Sequence, residues 1–142
     1  MKHFYITKSA EETQEIAKKL AVELISGDIV LLYGELGAGK TCFVKGMAQG
    51  LKIDPEKVTS PTFIILHEYM GKLSFYHFDF YRMKSMEEIE NIGFFDYIEA
   101  SGITVIEWPE KVVDYIKKER YEINFKIRED GKREITIEDW RF

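Results

Sequence analysis

Gly34-Glu35-Leu36-Gly37-Ala38-Gly39-Lys40-Thr41 is the stretch of sequence that decides the fold. It matches the phosphate-loop pattern G-x-x-x-x-G-K-[ST] at every fixed position. The residues before it, 28–33, form a short apolar run that is typical of a strand covered on both faces. The residues after it, 40–51, can form a helix. A strand, a glycine-rich loop and a helix in this order predict a P-loop that binds ATP–Mg²⁺.

Each part of the loop has a chemical role. Glycines let backbone N–H groups converge on phosphate oxygens, and the N-terminus of the following helix adds free amides and its dipole. Lys40 is expected to reach the β- and γ-phosphates, which makes it a catalytic residue, and the Thr41 hydroxyl is expected to bind Mg²⁺. The predicted nucleotide contacts in this stretch are Glu35, Leu36, Gly37, Ala38, Gly39, Lys40, Thr41 and Cys42.

Two acidic residues are candidates to complete the magnesium shell. Asp79 closes the predicted strand 73–79, and Glu107 closes the apolar strand 103–107. Ligands of open α/β sheets bind at the carboxyl ends of the strands, so either carboxylate can lie beside the loop. For each one alone, a solvated carboxylate at a strand end is the alternative.

Other polar groups surround these acids in the sequence. His77, Asp79 and Tyr81 share one face of a strand because side chains alternate with a period of two. His77 is therefore either a ligand or base, or a structural histidine. Ser60-Pro61-Thr62-Phe63 opens a strand with two hydroxyls and a rigid turn, a place where P-loop proteins carry switch segments, and an ordinary turn is the alternative. Cys42 is expected to be a small buried helix residue, with a redox switch as the alternative.

The remaining pattern predicts an α/β sandwich with a mixed sheet. Ser9-Ala10-Glu11-Glu12 has capping-box form and opens an amphipathic helix that reaches about residue 25. Two hairpins supply antiparallel strands among the crossover strands. The elements predicted outside the loop are strands 62–69 and 73–79, a helix 86–98 with a break near Gly93, strand 103–107, a helix from Pro109 to about residue 118, and strands 121–128 and 133–140.

Composition limits the class of protein. The chain has 142 residues, enough for one domain with a real core, and we expect residues 1–142 to form a single domain. No apolar run approaches the ~18 residues of a membrane span, and one cysteine cannot form an internal disulfide, so a cytoplasmic protein is expected. The net charge is −5, with lysines interleaved among acids. This balance disfavours direct binding to tRNA or DNA, because unaided nucleic-acid binding usually requires a basic face.

Five motifs together resemble the TsaE (YjeE) family, bacterial P-loop ATPases of tRNA threonylcarbamoyladenosine biosynthesis. They occur in family order over about residues 9–111, and the His-x-Asp-x-Tyr-Arg element followed by Glu-Trp is the specific part. The motifs are the P-loop, Ser60-Pro61-Thr62-Phe63, His77-Phe78-Asp79-Phe80-Tyr81-Arg82, Gly93-Phe94-Phe95-Asp96-Tyr97 and Ile106-Glu107-Trp108-Pro109-Glu110-Lys111.

The resemblance implies a three-layer P-loop fold, weak ATPase activity and assembly with the TsaD and TsaB subunits. Those partners transfer threonylcarbamoyl to an adenosine beside the anticodon, and the TsaE subunit would reset the complex between turnovers. Any contact with tRNA would be indirect, through that complex, and no membrane is involved.

The resemblance also assigns roles to residues. Thr41 and Glu107 would hold Mg²⁺, Asp79 would support hydrolysis and Trp108 would lie near the nucleotide. Ser9 and Arg133 would flank the adenine. Partner coupling would involve Ser60, Thr62, Tyr81 and Arg82.

Two other functions compete with this one. A small-molecule or nucleotide kinase usually needs a lid with several arginines, and the five arginines of this chain form no such cluster in the sequence. A nucleotide-gated interaction module, in which hydrolysis is incidental, overlaps the family function. A requirement for turnover, as opposed to ATP binding alone, separates the module from the ATPase.

Overall fold

A single seven-stranded sheet organises the chain, which we describe from a computed structural model covering residues 2–35, 37–59, 65–117 and 119–140. The strands are β1 (Lys2–Thr7), β2 (Ile29–Tyr33), β3 (Leu66–Met70), β4 (Ser74–Asp79), β5 (Ile103–Glu107), β6 (Arg120–Ile127) and β7 (Arg133–Trp140). The helices are α1 (Ala10–Glu23), α2 (Lys40–Gly50), α3 (Met86–Asn91) and α4 (Phe94–Glu99). Short 3₁₀ turns occur at Pro55–Lys57, Pro109–Lys111 and Val113–Tyr115. No helix in the described residues has the length and apolar character needed to cross a membrane.

The sheet is mixed, as predicted, and its order is β1-β7-β6-β2-β5-β4-β3. The central strands β6, β2, β5 and β4 are parallel to one another. The outer pairs β1–β7, β7–β6 and β4–β3 are antiparallel. Because β2, β4 and β5 run in the same direction, their carboxyl ends meet at one edge of the sheet, where the phosphate loop begins.

Two apolar clusters cover the two faces of the sheet. The first joins the sheet to α1 and α2 and includes Leu20, Phe43 and Met47. The second joins it to α3 and α4 and includes Phe78, Phe94 and Val112. The central strand β2 contributes alternate residues to both clusters, so it is buried on both sides, as its continuous apolar run predicts.

Helices α1 and α2 pack very closely where Gly46 faces Gln14. A Cβ atom placed on Gly46 would lie 2.4 Å from the Gln14 backbone oxygen and 2.8 Å from the Ala17 Cβ atom. The N-cap of the predicted capping box is present at the start of α1, where the Ser9 Oγ accepts a hydrogen bond from the Glu12 backbone N–H at 3.1 Å. The Glu12 carboxylate accepts from the Lys8 backbone N–H at 2.9 Å, one residue before the position that the box requires. This contact and the close packing fix the start of α1 beside α2 and the phosphate loop.

One strand was not predicted from the sequence, and two predictions need correction. The N-terminal segment Lys2–Thr7 is an edge strand, which the sequence pattern did not predict. Residues 109–117, the described part of the predicted helix 109–118, instead form two 3₁₀ turns, in which the N–H groups of Val112 and Ile116 bond to the carbonyl oxygens of Pro109 and Val113. The strand predicted at 62–69 is observed at Leu66–Met70, and residues 62–64 lie outside the described residues. The helix predicted at 86–98 is divided at Gly93, as expected.

Candidate nucleotide-binding site

The phosphate loop connects the buried end of β2 to the first turn of α2. Its first glycine, Gly34, lies against β6: a Cβ atom there would be 2.9 Å from the Phe125 backbone oxygen, and the φ of Gly34 is +149°. Only glycine fits this combination of space and backbone angle. Leu36 lies outside the described residues, whereas Glu35 and Gly37 are exposed and Ala38 is buried.

Lys40 is the first residue of α2, and its side chain is buried with 4% of the residue exposed. Its Nζ donates a hydrogen bond to the Gly34 backbone oxygen at 2.6 Å, and it lies 4.0 Å from the centre of the Trp108 ring. Burial lowers the pKa of Lys40, while the negative charges of Glu107 and Asp79 act in the opposite direction. The ammonium group thus sits inside the loop, next to aromatic and acidic groups.

Asp79 and Glu107 lie side by side at the carboxyl ends of two parallel strands. They are register partners on β4 and β5, and Glu107 is also paired with Leu32, two residues before the loop. Both are nearly inaccessible, with 1% and 3% exposed. The Asp79 Oδ1 accepts a hydrogen bond from the Tyr81 backbone N–H at 2.9 Å. A short bond of 2.6 Å joins the His77 Nε2 to the Glu107 Oε2.

Trp108 follows Glu107 with an unusual backbone. Its φ and ψ are both 56°, the left-handed region, which is an outlier for a bulky residue. Its ring packs against Tyr81 with centroids 4.8 Å apart, while Lys40 lies over the same ring. The Trp108 Nε1 is buried and has no hydrogen-bond partner among the described residues. Strained backbone at such a position typically marks a functional site.

A cavity of about 240 Å³ opens on the other side of the phosphate loop. Strand β1, the start of α1, the loop and the β6–β7 hairpin each contribute to its wall. The lining residues are Thr7, Lys8, Ser9, Ala10, Thr13, Gly39, Cys42, Gly131 and Arg133. Four residues assigned to the nucleotide from the sequence, namely Ser9, Gly39, Cys42 and Arg133, are therefore brought together here.

Arg133 and Cys42 connect the cavity to the loop and to α1. The Arg133 guanidinium donates to the backbone oxygens of Gly131 at 2.8 Å and of Gly37 at 3.3 Å, so the hairpin contacts the phosphate loop directly. The Cys42 Sγ donates to the Ala10 backbone oxygen at 3.3 Å. Cys42 is half-buried and lines the cavity, and burial raises the pKa of its thiol.

The residues predicted to couple to a partner are only partly described. Ser60 and Thr62 lie outside the described residues. Tyr81 and Arg82 follow β4, are exposed, and line an open depression together with Lys84 and Lys111. The Lys111 Nζ donates to the Phe80 backbone oxygen at 3.2 Å. Tyr81 therefore connects the half-buried Trp108 to this surface.

Sequence reasoning missed several features of the site. Thr7, Lys8, Ala10 and Thr13 were not assigned, because β1 was not predicted and nothing else placed them beside the loop. Thr7 and Thr13 are joined by a buried hydrogen bond of 2.8 Å between their hydroxyls. The bond between His77 and Glu107 was also missed, although the period of two had placed His77 and Asp79 on the same face.

A family model, individual protein sequences and a solved structure all show similarity to TsaE or to YdiB. The family model described as "Threonylcarbamoyl adenosine biosynthesis protein TsaE" matches residues 7–135. The tRNA threonylcarbamoyladenosine biosynthesis protein TsaE of Treponema pallidum is 42% identical over 132 residues, covering 93% of this chain and 97% of that protein. The TsaE protein of Bacillus subtilis is 44% identical over 132 residues, covering 92% of this chain and 82% of that protein. The crystal structure of Bacillus subtilis YdiB superimposes with a TM-score of 0.79 at 36% identity, covering 99% of this chain and 87% of the other.

Proposed function

The chain belongs to the TsaE family of threonylcarbamoyl adenosine biosynthesis proteins, and on this premise we propose that it is the ATP-binding, slowly ATP-hydrolysing subunit of that pathway. It acts with TsaD and TsaB, which transfer threonylcarbamoyl to an adenosine beside the anticodon of tRNAs in the cytoplasm. Nucleotide turnover resets the complex between modification cycles. The tRNA is reached through those partners, in keeping with the net charge of −5.

One observation carries the proposal: Lys40, Glu107 and Asp79 converge at the sheet edge where the phosphate loop begins. Lys40 supplies positive charge for the β- and γ-phosphates. The backbone amides of the loop and of the first turn of α2 hold the remaining phosphate oxygens. The cavity beyond Gly39 accommodates the base and ribose, with Ser9, Cys42 and Arg133 at its wall.

Thr41 and Glu107 fit a magnesium ion. They offer a hydroxyl and a carboxylate oxygen, which are the hard donors that Mg²⁺ prefers, and the remaining positions go to phosphate and water. Bound there, the ion would neutralise charge on the β- and γ-phosphates. Thr41 is on the first turn of α2, and Glu107 is paired with the end of β2, so both lie at the loop.

Asp79 is the group we assign to hydrolysis. It orients the attacking water toward the γ-phosphorus and accepts its proton as the bond to the leaving oxygen breaks. The hydrogen bond from the Tyr81 backbone N–H holds Oδ1 in place. Lys40 remains on the transferred group and stabilises the charge that develops there.

The decisive experiment is a pull-down of purified TsaD and TsaB with this chain in ATP, in ADP and without nucleotide, together with the yield of modified tRNA. We expect ATP-dependent capture and no threonylcarbamoyladenosine when this chain is omitted. Capture that ignores nucleotide, together with full modification in the absence of this chain, would remove the TsaE role. Phosphorylation of an added small-molecule acceptor would favour the kinase instead.

A second function, a nucleotide-gated docking module, is favoured by a chain of side-chain contacts that leads from Lys40 to the surface. Lys40 lies over the Trp108 ring, and Trp108 packs against Tyr81, which is 47% exposed. A phosphate that draws Lys40 away from Trp108 can therefore change the surface at Tyr81 without hydrolysis. Full tRNA modification by an Asp79→Ala protein that binds ATP but does not hydrolyse it would support the module over the ATPase.

A further inference from the structure

His77 is completely buried in the middle of β4, between the phosphate-loop edge and the aromatic core. Its ring stacks on Phe75 with centroids 6.5 Å apart and an interplanar angle of 19°. Its Nε2 lies 2.6 Å from the Glu107 Oε2, and both side chains are shielded from solvent. A short, shielded bond of this kind holds both groups in one rotamer, because neither can exchange its partner for water.

The hydrogen-bond pattern indicates which nitrogen carries the proton. The His77 Nδ1 is buried and has no partner in the described part of the chain. A proton on Nδ1 would leave an unsatisfied N–H donor in the core, which is costly. The Glu107 carboxylate can only accept, so the 2.6 Å bond is made by the tautomer that carries the proton on Nε2, which leaves Nδ1 as an unprotonated acceptor. His77 therefore fixes Oε2, and Oε1 is left as the Glu107 oxygen available to another ligand.

We propose that His77 is a positioning residue that acts through Glu107: it aims the carboxylate at the cation of the bound ATP. This inference rests on the proposed ATP–Mg²⁺ function. On this proposal, strand β4 carries two functional residues. Asp79, at its end, orients the attacking water, and His77, two residues earlier, orients the metal ligand Glu107 on the neighbouring strand. Histidine–carboxylate pairs next to metal ions have this effect, and losing the outer partner typically costs about 10- to 100-fold in metal affinity.

The test compares two substitutions of similar shape. His77→Gln keeps an N–H donor at a similar distance, whereas His77→Met has about the same length and volume but no donor. The measured quantity is the affinity for a non-hydrolysable ATP analogue by calorimetry, in excess Mg²⁺ and in EDTA. The ratio of the two affinities reports the contribution of the cation. It does not respond to a general loss of structure, which lowers both affinities together.

We expect both variants to bind the analogue in EDTA like the wild type. In Mg²⁺, the ratio should fall by about 10-fold or more for His77→Met and stay within about threefold for His77→Gln. An unchanged ratio in His77→Met would overturn the inference while leaving the proposed function intact. If the wild type binds the analogue equally well in Mg²⁺ and in EDTA, and Glu107→Gln does not change either affinity, the cation site itself would be overturned.

A folding control accompanies the ratio. Thermal unfolding of each variant is followed by circular dichroism before calorimetry. If His77→Met fails to fold, His77→Phe takes its place, since a phenyl ring preserves the stacking on Phe75 and still lacks the donor. Equal loss of the Mg²⁺ effect in His77→Gln and in the variant without a donor would also contradict the inference, because the donated hydrogen bond would not be what matters.

Discussion

The Lys40 ammonium group is bonded to the loop's own carbonyl oxygen at Gly34. If ATP binds as proposed, it exchanges this bond, and the contact with the Trp108 ring, for contacts with phosphate. The exchange is favourable because a charge-assisted bond to phosphate is stronger than a bond to a neutral carbonyl. In the structure, these two contacts keep the buried ammonium group hydrogen-bonded and next to an aromatic ring.

Lys40→Ala removes the positive charge but leaves the loop amides, so ATP should still bind, more weakly, and hydrolysis should fall below detection. Calorimetry and phosphate release measure the two effects. Lys19→Ala, on the exposed side of α1, is the matched control and should behave like the wild type. Normal turnover by Lys40→Ala would mean that the phosphate loop is not the working site.

The two acids should give different defects. Glu107→Ala should raise the Mg²⁺ concentration needed for activity, and Asp79→Ala should lower turnover while leaving ATP binding largely intact. For each, we expect turnover to drop on the order of 10²-fold, the usual scale for removing a catalytic or charge-stabilising group. Magnesium titrations of ATPase rate and of ATP affinity distinguish them. Exchanged phenotypes would exchange the two assignments, and two mild phenotypes would remove both.

Tyr33, the last residue of β2, predicts a loss of stability at high pH. Burial, followed by the charges of Glu122 and Glu110, raises the pKa of Tyr33 from 10.0 to about 12. The unfolded chain releases this phenolic proton first, so stability must fall as pH rises from the unfolded pKa toward the folded one. Urea unfolding at about pH 9 and about pH 11 should show a smaller decline for Tyr33→Phe than for the wild type. Tyr115→Phe, at an exposed phenol, should decline like the wild type.

At the scale of elements, the phosphate loop is held by the pair of helices α1 and α2. The two backbones approach at Gly46, where there is no room for a side chain. Gly46→Ala should therefore destabilise the fold by about 1–3 kcal/mol, the usual cost of overpacking a close contact. In an unhindered helix the same change is stabilising by roughly 0.5–1 kcal/mol, so the sign of the change in unfolding free energy distinguishes the two cases. Urea unfolding measures the sign, and a more stable variant would contradict this packing.

Local signals explain which elements the sequence predicted. Strand β2, the loop and α2 follow from an apolar run, fixed glycines and a helix start within one short stretch. Strand β1 gives no such signal: five of its six residues are exposed, and its pairing with β7 depends on residues more than a hundred positions away. The segment 109–118 has Val112 and Ile116 at helical spacing, and both side chains lie in the core. Spacing alone does not distinguish one helix from two 3₁₀ turns that place the same side chains in the core.

In the candidate site, too, the sequence predicted the features that have a local signal and missed those that depend on distant contacts. Asp79 and Glu107 could be placed together because parallel strands end at one edge of a sheet. Which atom pairs with His77 depends on the stagger between β4 and β5, which alternation alone does not give. The left-handed backbone of Trp108 also had no local signal, since neither glycine nor asparagine stands there.

At the scale of the whole molecule, the surface at Tyr81 and Arg82 adjoins the phosphate loop. Adding TsaD and TsaB should stimulate ATP hydrolysis, because a partner can supply charge or order, which in other P-loop systems is worth roughly 10³–10⁵ in rate. ATP should also tighten the complex relative to ADP, and by linkage the complex must then tighten ATP binding equally. Thr62→Ala or Tyr81→Ala should weaken this coupling more than nucleotide binding alone.

ATPase rates and partner affinities, each measured with ATP, with ADP and without nucleotide, test the coupling. Arg120→Ala is a suitable control, because Arg120 is paired with Glu122 on β6, on the other side of β2 from β4 and Tyr81. Equal affinity in all three nucleotide states, with an unstimulated rate, would leave a nucleotide-binding protein without the proposed coupling.

The cavity beside the phosphate loop takes residues from opposite ends of the chain, Thr7 and Ser9 from the beginning and Gly131 and Arg133 from near the end. During synthesis, the phosphate loop and α2 therefore leave the ribosome long before that cavity can exist. Because β1 pairs only with β7 among the described strands, about 120 residues must be added at ~5–20 residues per second before this cavity closes. On the proposed function, a growing chain reaches its full ATP affinity only after the hairpin that carries Arg133 has been synthesised and has paired with β1.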